Sequence, residues 1–164
     1  MWVSRRTDYA TRAVVALAVA DGGPLRLEQI ATAIDAPRSV LEQVMPVLRH
    51  AGIVRSVRGP RGGHRLNRPA GEITLERVVR LFEGQLAPIG YATRRNPDPC
   101  PELVANSLRP VWEQVRDATI SILEQTTFAD LAEKARSPQP PAKVPQRPSA
   151  RASGRRMAAG RGRS

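Results

Sequence analysis

The segment at 56–69, SVRGPRGGHRLNRP, restricts the possible folds more than any other part of the chain. It holds four arginines and three glycines but no acidic residue. Residues 53–58 before the glycines and 64–67 after them have the composition of two short strands, and a glycine-containing loop joins them. Such a pattern predicts a β-hairpin. The elements that precede this hairpin decide what kind of domain carries its basic tip.

Three helical patterns precede the hairpin. Apolar residues recur at helical spacing over 5–20, 27–34 and 38–50, and segments containing Gly or Pro separate the first two and end the third. Pro46 lies inside the third pattern, where we expect it to bend the helix axis, because its ring removes one backbone hydrogen bond. Three helices followed by a hairpin predict a winged helix-turn-helix.

The chain after the hairpin is predicted to be helical on both sides of one long loop. Thr74 is the expected N-cap of a helix over 75–83, with Ile73 and Val78 forming a hydrophobic staple across the cap. Four prolines between residues 85 and 104 predict an irregular loop. The fold class is therefore mainly α with a small β-hairpin wing.

A long helix is predicted from Ser107 to about Gln125, with Pro110 in its first turn, and Thr127 caps a last short helix. Spacings of four and three alternate along one stripe of the long helix, as in helices that pack against a partner helix. The stripe consists of Leu108, Trp112, Val115, Thr119 and Ile122. We therefore expect a long C-terminal dimerisation helix. The predicted regions are a winged helix-turn-helix domain at 1–84, a loop at 85–104, dimerisation helices at 105–136 and a basic tail at 137–164.

The net charge of +11 is concentrated at the C-terminus. Seven of the 26 Lys and Arg residues lie in 137–164, where there is no acid, so 19 bases stand against 15 acids in the rest of the chain. The tail is rich in Pro, Ala, Arg, Ser and Gly and lacks the apolar surface that would offset its ordering entropy, which predicts disorder. A tail of this kind attracts any polyanion, and it is equally typical of a solvated terminus.

Polar residues begin the third helix, where a helix-turn-helix protein contacts base edges in the major groove. The candidates are Arg38, Ser39, Glu42 and Gln43. Glu accepts a hydrogen bond from cytosine, Gln pairs with adenine, and Ser contacts several bases. The other interpretation is the solvated face of an amphipathic helix, and the neighbouring hairpin favours DNA.

The glycines of the hairpin allow two interpretations. A phosphate-binding loop would end in Gly-Lys-Ser or Gly-Lys-Thr and open a helix, and 59–63 does neither. A hairpin tip instead uses glycine for a positive φ or for close approach to a partner, and its arginines enter a narrow minor groove. We therefore predict a DNA-binding wing, against the alternative that the glycines serve turn geometry alone. Its residues are Arg58, Gly59, Arg61, Gly62 and Gly63.

Several motifs together resemble the bacterial Rrf-type repressor family that includes IscR, NsrR and CymR. The matching residues are Ser4 to Ala10, 40–43 (VLEQ), 48–54 (LRHAGIV), 56–63 (SVRGPRGG), Ile73-Thr74, 82–84 (FEG), Trp112 and 126–131 (TTFADL). The resemblance implies a homodimer joined through the long helix, with one winged helix per subunit and an operator of two-fold symmetry. It also implies that Ser39, Glu42 and Gln43 face bases, and that Arg58 and its glycines form the minor-groove wing.

The chain departs from this family at the sensor, which the resemblance places in the loop at 85–104. Many members hold an iron-sulfur cluster through three cysteines before the long helix, whereas Cys100 is the single cysteine here. Arg94 and Asn106 stand near the places of the outer two cysteines, and Asp8 stands where some relatives supply a carboxylate ligand. Three-thiolate ligation is impossible, so we expect no metal or cofactor. Cys100 is then either a redox-sensitive thiol or an incidental loop residue.

The predicted function is a sequence-specific transcriptional regulator, a homodimeric repressor that binds double-stranded DNA at a palindromic operator. The alternative is a non-specific nucleic-acid or nucleoid-associated protein dominated by its Arg-rich tail. An enzyme is not expected, because no nucleophile-base or clustered carboxylate arrangement is visible. No membrane partner is expected either, and the single cysteine together with the polar N-terminus favours a cytoplasmic, nucleoid-associated location.

Overall fold

A computed structural model of the chain describes residues 3–137, so the predicted disorder of the tail falls almost entirely outside the described residues. Six α-helices and one antiparallel hairpin make up the described part, which confirms the mainly α winged-helix prediction. The helices are α1 (Arg5–Val19), α2 (Leu27–Ile34), α3 (Arg38–His50), α4 (Leu75–Glu83), α5 (Glu102–Gln125) and α6 (Phe128–Arg136), and the strands are β1 (Val54–Val57) and β2 (Gly63–Leu66).

The first three helices follow the predicted patterns to within a residue. Ser4 caps α1 by accepting a hydrogen bond from the Thr7 amide. The start of α2 has no Ser or Thr cap; the Gln29 side chain accepts from the Arg26 amide at 2.8 Å instead. Helix α3 runs unbroken from Arg38 to His50 with Pro46 inside it. The second helix of the helix-turn-helix pair therefore keeps its full length.

One hydrophobic core joins the helices of the winged domain. Its 16 buried residues come from α1, α2, α3, β1, α4, α6 and the segments next to β1 and α4, and the largest of them is Phe128, which is fully buried in α6. Ile73 and Val78 are also buried there, as the predicted staple requires. The last helix therefore completes the core that the first helices begin.

Backbone hydrogen bonds hold α6 against the start of α4. The Leu75 amide donates to the Thr126 carbonyl at 2.8 Å, and the Phe128 amide donates to the Ile73 carbonyl at 3.0 Å. At the other end of α6, Arg136 donates to the Val19 carbonyl at 2.9 Å and so satisfies one of the open carbonyls at the end of α1. These contacts place α6 against α1 and the start of α4, within the winged helix domain.

The predicted start of the long helix at Ser107 is wrong, because α5 begins at Glu102 and follows Pro101. Pro110 therefore lies in the helix interior rather than in the first turn. The preference of proline for the first turn of a helix predicted the wrong start for α5. A helix of 24 residues tolerates the one backbone hydrogen bond that Pro110 removes. The predicted boundary between loop and dimerisation helices at 104/105 falls inside α5.

Candidate nucleic-acid interface

The first turns of α3 present the predicted base-reading side chains to solvent. Ser39, Glu42 and Gln43 are all exposed, whereas the opposite face of α3 buries Leu41 and Val44 in the core. Within residues 3–137, neither Ser39 nor Gln43 has a side-chain hydrogen-bond partner. The two side chains are therefore free to bond with an external group.

Arg38 and Glu42, in contrast, are already engaged. The Arg38 Nε donates to Glu42 Oε1 at 2.9 Å, and its Nη1 donates to Glu28 of α2. The bond to Glu42, followed by the charge of Glu28, raises the pKa of the Arg38 guanidinium above its usual value. Two of the five N–H groups of Arg38 are therefore taken by carboxylates, and the other three remain available to a phosphate or a base.

The first turn of α2 connects α3 with the wing. Glu28 binds Arg38 at the start of α3, and Arg26 donates from Nη2 to the Pro60 carbonyl at the hairpin tip at 2.6 Å. A backbone bridge between Leu25 and His64 ties the same segment to β2, with N···O distances of 2.9 and 2.7 Å. The structure thus brings the two predicted DNA-contacting elements together through residues 25–28, which sequence reasoning did not identify.

Two of the wing glycines are required by the chain itself. A Cβ at Gly62 would lie 2.3 Å from the Val57 carbonyl oxygen, and a Cβ at Gly63 would lie 2.4 Å from that of Leu25. Gly59 differs, since it has a φ of +110° and open space where a Cβ would be. Gly62 and Gly63 therefore close the hairpin and seat it on the α2 segment, while Gly59 shapes the exposed turn.

The wing exposes its cations at the tip. Arg58 and Arg61 are exposed and make no ion pair with any residue of 3–137. Their exposure leaves both side chains accessible from solvent, and their contact with DNA stays a prediction. Both guanidiniums keep all their donors available for an anion.

Arg55 and Arg65 form a second basic feature that the sequence analysis missed. They stand directly opposite each other in the β1–β2 register. Like charges opposite each other destabilise a sheet unless an anion or solvent compensates them. Both residues line a concavity with Asp21 and Arg68, beside the end of α1. The pair arises from the register of the two strands. The signal available in the sequence was the alternation of side chains along each strand, counted from Arg55 and from Arg65.

His64 belongs to strand β2 of the wing and is close enough to Arg49 of α3 to feel its charge. Burial lowers the pKa of its imidazole, and the positive charge of Arg49 lowers it further. Its Nδ1 is buried without a hydrogen-bond partner in the described part of the chain. His64 is therefore half-buried and favours the neutral form.

The residues before α5 do not fit the cluster of the resembling family. Cys100 is the single cysteine, and residues 3–137 contain no group of three His, Cys, Asp or Glu side chains placed to hold a metal. Arg94, near the place of one outer cysteine, binds Asp117 at 2.9 Å, and Asp8 binds Arg12 at 2.6 Å. The donor set for three-thiolate ligation is not present in this chain.

One face of α5 is apolar and exposed, as the alternating spacing predicts. Ile122 is 66% exposed and Leu103 80% exposed, and other large apolar side chains of α5 are also open to solvent. They are Leu108, Val111, Trp112 and Val115. No helix within residues 3–137 is both long enough and apolar enough to cross a membrane.

The fold and this surface are those of a winged helix-turn-helix protein. Residues 3–134 match the family model Rrf2, described as an iron-dependent transcriptional regulator. The chain belongs to the Rrf2 family, whose curated relatives are HTH-type transcriptional regulators, and this confirms the resemblance to the family of IscR, NsrR and CymR.

Two curated relatives and two solved structures show the extent of the similarity. The chain is 32% identical to the HTH-type transcriptional regulator CymR of Bacillus subtilis over 133 residues, which cover 80% of this chain and 90% of CymR. It is 30% identical to the protein rrf2 of Nitratidesulfovibrio vulgaris over 132 residues, 80% of this chain and 87% of that protein. The structure of B. subtilis CymR, titled as the global cysteine regulator, aligns with a TM-score of 0.70 and 30% identity over 82% of this chain and 98% of CymR. T. potens IscR aligns with a TM-score of 0.65 and 30% identity over 85% of this chain and 94% of IscR.

Proposed function

We propose that the protein is a homodimeric repressor that binds a palindromic operator in double-stranded DNA. The observation that carries the proposal is the α2 segment that holds the start of α3 and the wing tip together, with Ser39, Gln43, Arg58 and Arg61 free of partners. Such an arrangement presents hydrogen-bonding side chains to a major groove and guanidiniums to the adjacent backbone or minor groove. A DNA-bound regulator acts at the nucleoid in the cytoplasm.

Base readout is assigned to Ser39, Glu42 and Gln43. Gln43 is unpartnered and forms a bidentate contact with adenine in the usual geometry of this side chain. Glu42 accepts from cytosine when Arg38 turns to a phosphate, which exchanges one charge-assisted hydrogen bond for two. The exchange favours DNA that offers both partners at once.

The wing is assigned to the DNA backbone and minor groove. Arg58 and Arg61 extend from a tip whose backbone Arg26 already fixes through Pro60, so little backbone entropy is lost when they bind. The opposed guanidiniums of Arg55 and Arg65 contact phosphates, which offset their mutual repulsion. These contacts add affinity that is common to all sequences.

The dimer is assigned to the exposed apolar face of α5. Large apolar side chains on one helix face mark a surface that another molecule covers, and their alternating spacing of four and three fits a second copy of the same helix. Two winged domains related by this contact read two half-sites about one helical turn, or a multiple of one turn, apart.

Selection of bound sequences from a random DNA pool by the full chain tests the proposal. We expect enrichment of an inverted repeat, and recovery of no motif contradicts it. A chain ending at Ser137 is the second arm. The repressor keeps its preference without the basic tail, whereas a non-specific binder dominated by that tail loses most of its affinity.

Substitution at Gln43 tests the readout. Gln43→Ala is expected to weaken operator binding by about 1–3 kcal/mol and to leave random DNA almost unaffected. Arg58→Ala weakens both kinds of DNA to a similar extent, because its partner is backbone or groove shape. Gln125→Ala, at the end of α5, is the matched control and should change neither affinity. Equal losses on both DNAs for Gln43→Ala would remove α3 from base recognition.

A further inference from the structure

A cavity of about 430 Å³ lies between the end of α4, the segment after it and α5. No residue of α3 or the wing lines the cavity. Its lining includes four arginines and two apolar side chains, which are Arg80, Arg94, Arg95, Arg116, Leu86 and Ile120. Its volume falls in the range of sites that hold small organic molecules.

The cavity carries more positive charge than the protein neutralises. Four arginines line it, and two carboxylates pair with them: Glu76 with Arg80, and Asp117 with both Arg94 and Arg116. The two guanidiniums hold the pKa of Asp117 at about 2, so Asp117 is already ionised and offers no further compensation at neutral pH. Arg95 is exposed and has no ion-pair partner among residues 3–137. An excess of two positive charges remains.

Arg116 is the buried cation of the site. Only 9% of it is exposed, and three of its five N–H groups donate, two to Asp117 and one to the Ala92 carbonyl. Each of its three nitrogens has a partner, and the other two N–H groups have no acceptor within residues 3–137 and can donate to a bound anion. The contact with Ala92 also fixes the segment that carries Arg94 and Arg95.

The floor of the cavity is apolar. Leu86 and Ile120 are buried and pack with Val79 in a small cluster separate from the main core. Guanidiniums around an apolar floor match an anion that has a short carbon body, because the arginines bind its oxygens in pairs while the floor covers its carbon atoms.

We propose that this cavity is a binding site for a small organic anion that carries at least two acidic oxygens, either carboxylate or phosphate, on a short apolar body. Arg80 and Arg95 bind its charged ends, Arg116 supplies a buried donor, and Leu86 with Ile120 contacts its carbon atoms. Arg94 and Arg95 lie in the segment before α5, where the chain lacks the thiolates of the resembling family. The site and its test are independent of DNA binding.

Isothermal titration calorimetry on the full chain, without DNA and at constant ionic strength, tests the site. The probes are succinate, propyl phosphate, inorganic phosphate and, as the uncharged analogue of the first, succinamide. We expect succinate or propyl phosphate to bind, inorganic phosphate to bind more weakly than that organic anion because it lacks a carbon body, and succinamide not to bind. Failure of both organic anions to bind, or tighter binding of inorganic phosphate than of both organic anions, overturns the proposal.

Three variants locate the binding. Arg80→Gln and Arg95→Gln each remove a charged donor from the cavity and should weaken the bound organic anion about tenfold, the effect of losing one charge-assisted hydrogen bond. Arg77→Gln removes the same charge from an exposed position of α4 that does not line the cavity, and it should leave the affinity within about twofold, as surface substitutions do. Equal affinities of all three variants would show that the anion binds elsewhere, for example on the basic tail. Arg95 is exposed, so its variant tests the site without disturbing the core.

Discussion

The winged domain and α5 treat their apolar side chains in opposite ways. The winged domain, completed by α6, places 16 residues in one buried core, whereas α5 buries only Arg116 and Ile120 among its 24 residues. The first region holds its fold through contacts within the chain. The second leaves an apolar face exposed, and in the proposed dimer a second copy covers it, so stability and assembly would depend on different parts of the molecule.

Phe128→Ala tests how strongly the buried core stabilises the winged domain. Truncation of this fully buried ring is expected to lower the free energy of unfolding by about 3–5 kcal/mol, measured by urea denaturation. Leu108→Ala, on the exposed face of α5, is the matched truncation. Its effect should grow with protein concentration because it acts through assembly, while that of Phe128→Ala should not. The same concentration dependence in both variants would contradict the division.

Charges on the α5 face test the other side of the comparison. The double substitution Val115→Glu and Ile122→Glu buries two carboxylates if the dimer forms, so we expect a monomer in sedimentation equilibrium and a loss of operator affinity of about 2 kcal/mol or more. Circular dichroism should stay unchanged, because both positions are exposed in the single chain. A variant that remains dimeric would place the interface elsewhere.

Gly63→Ala tests whether the wing is fixed to the domain. The added Cβ would meet the Leu25 carbonyl oxygen at 2.4 Å, so β2 must move away from the α2 segment at a cost of about 1–3 kcal/mol in the free energy of unfolding. Gly71→Ala is the control, because its Cβ would make only ordinary contact at 3.9 Å. If thermal denaturation shows both variants to be equally stable, the wing is not held by this contact.

The pH dependence of stability gives the smallest expected effect. The pKa of His64 is lower in the folded chain than in the unfolded chain, so the unfolded state binds the proton first as the pH falls below about 6.5. Stability should therefore decrease from pH 7.5 to pH 5.5, and His64→Gln should reduce that slope. His50→Gln, which removes the other histidine, is the control. An unchanged slope in His64→Gln would show that His64 does not contribute.

The comparison also explains which features were predictable from the sequence. Helices α1 to α4 and the hairpin follow from local apolar periodicity and from Thr74, because their signals lie within one element. The start of α5 was missed because Pro110 resembles a first-turn proline and the preceding prolines suggest a loop. Periodicity did predict the exposed stripe, since it depends only on spacing along one helix.

The candidate interface was predictable in its members but not in its connections. Arg58, Arg61, Ser39 and Gln43 are exposed as the sequence suggested. The pairing of Arg38 with Glu42 and Glu28, and the bond from Arg26 to Pro60, depend on tertiary placement that no local pattern encodes. Close approach within the chain, rather than approach to DNA, explains Gly62 and Gly63.

The ion pairs of Arg38 have a consequence for how DNA affinity responds to salt. The salt dependence counts the counterions released when protein cations replace them at phosphates. Arg58 and Arg61 have no carboxylate partner within residues 3–137, so each would contribute fully to this slope in the proposed complex. If Arg38 turns to a phosphate as proposed, Glu42 accepts from a base, while Glu28 loses its cation and takes up another from solution. The slope expected for the proposed complex is therefore smaller than the number of arginines that touch DNA.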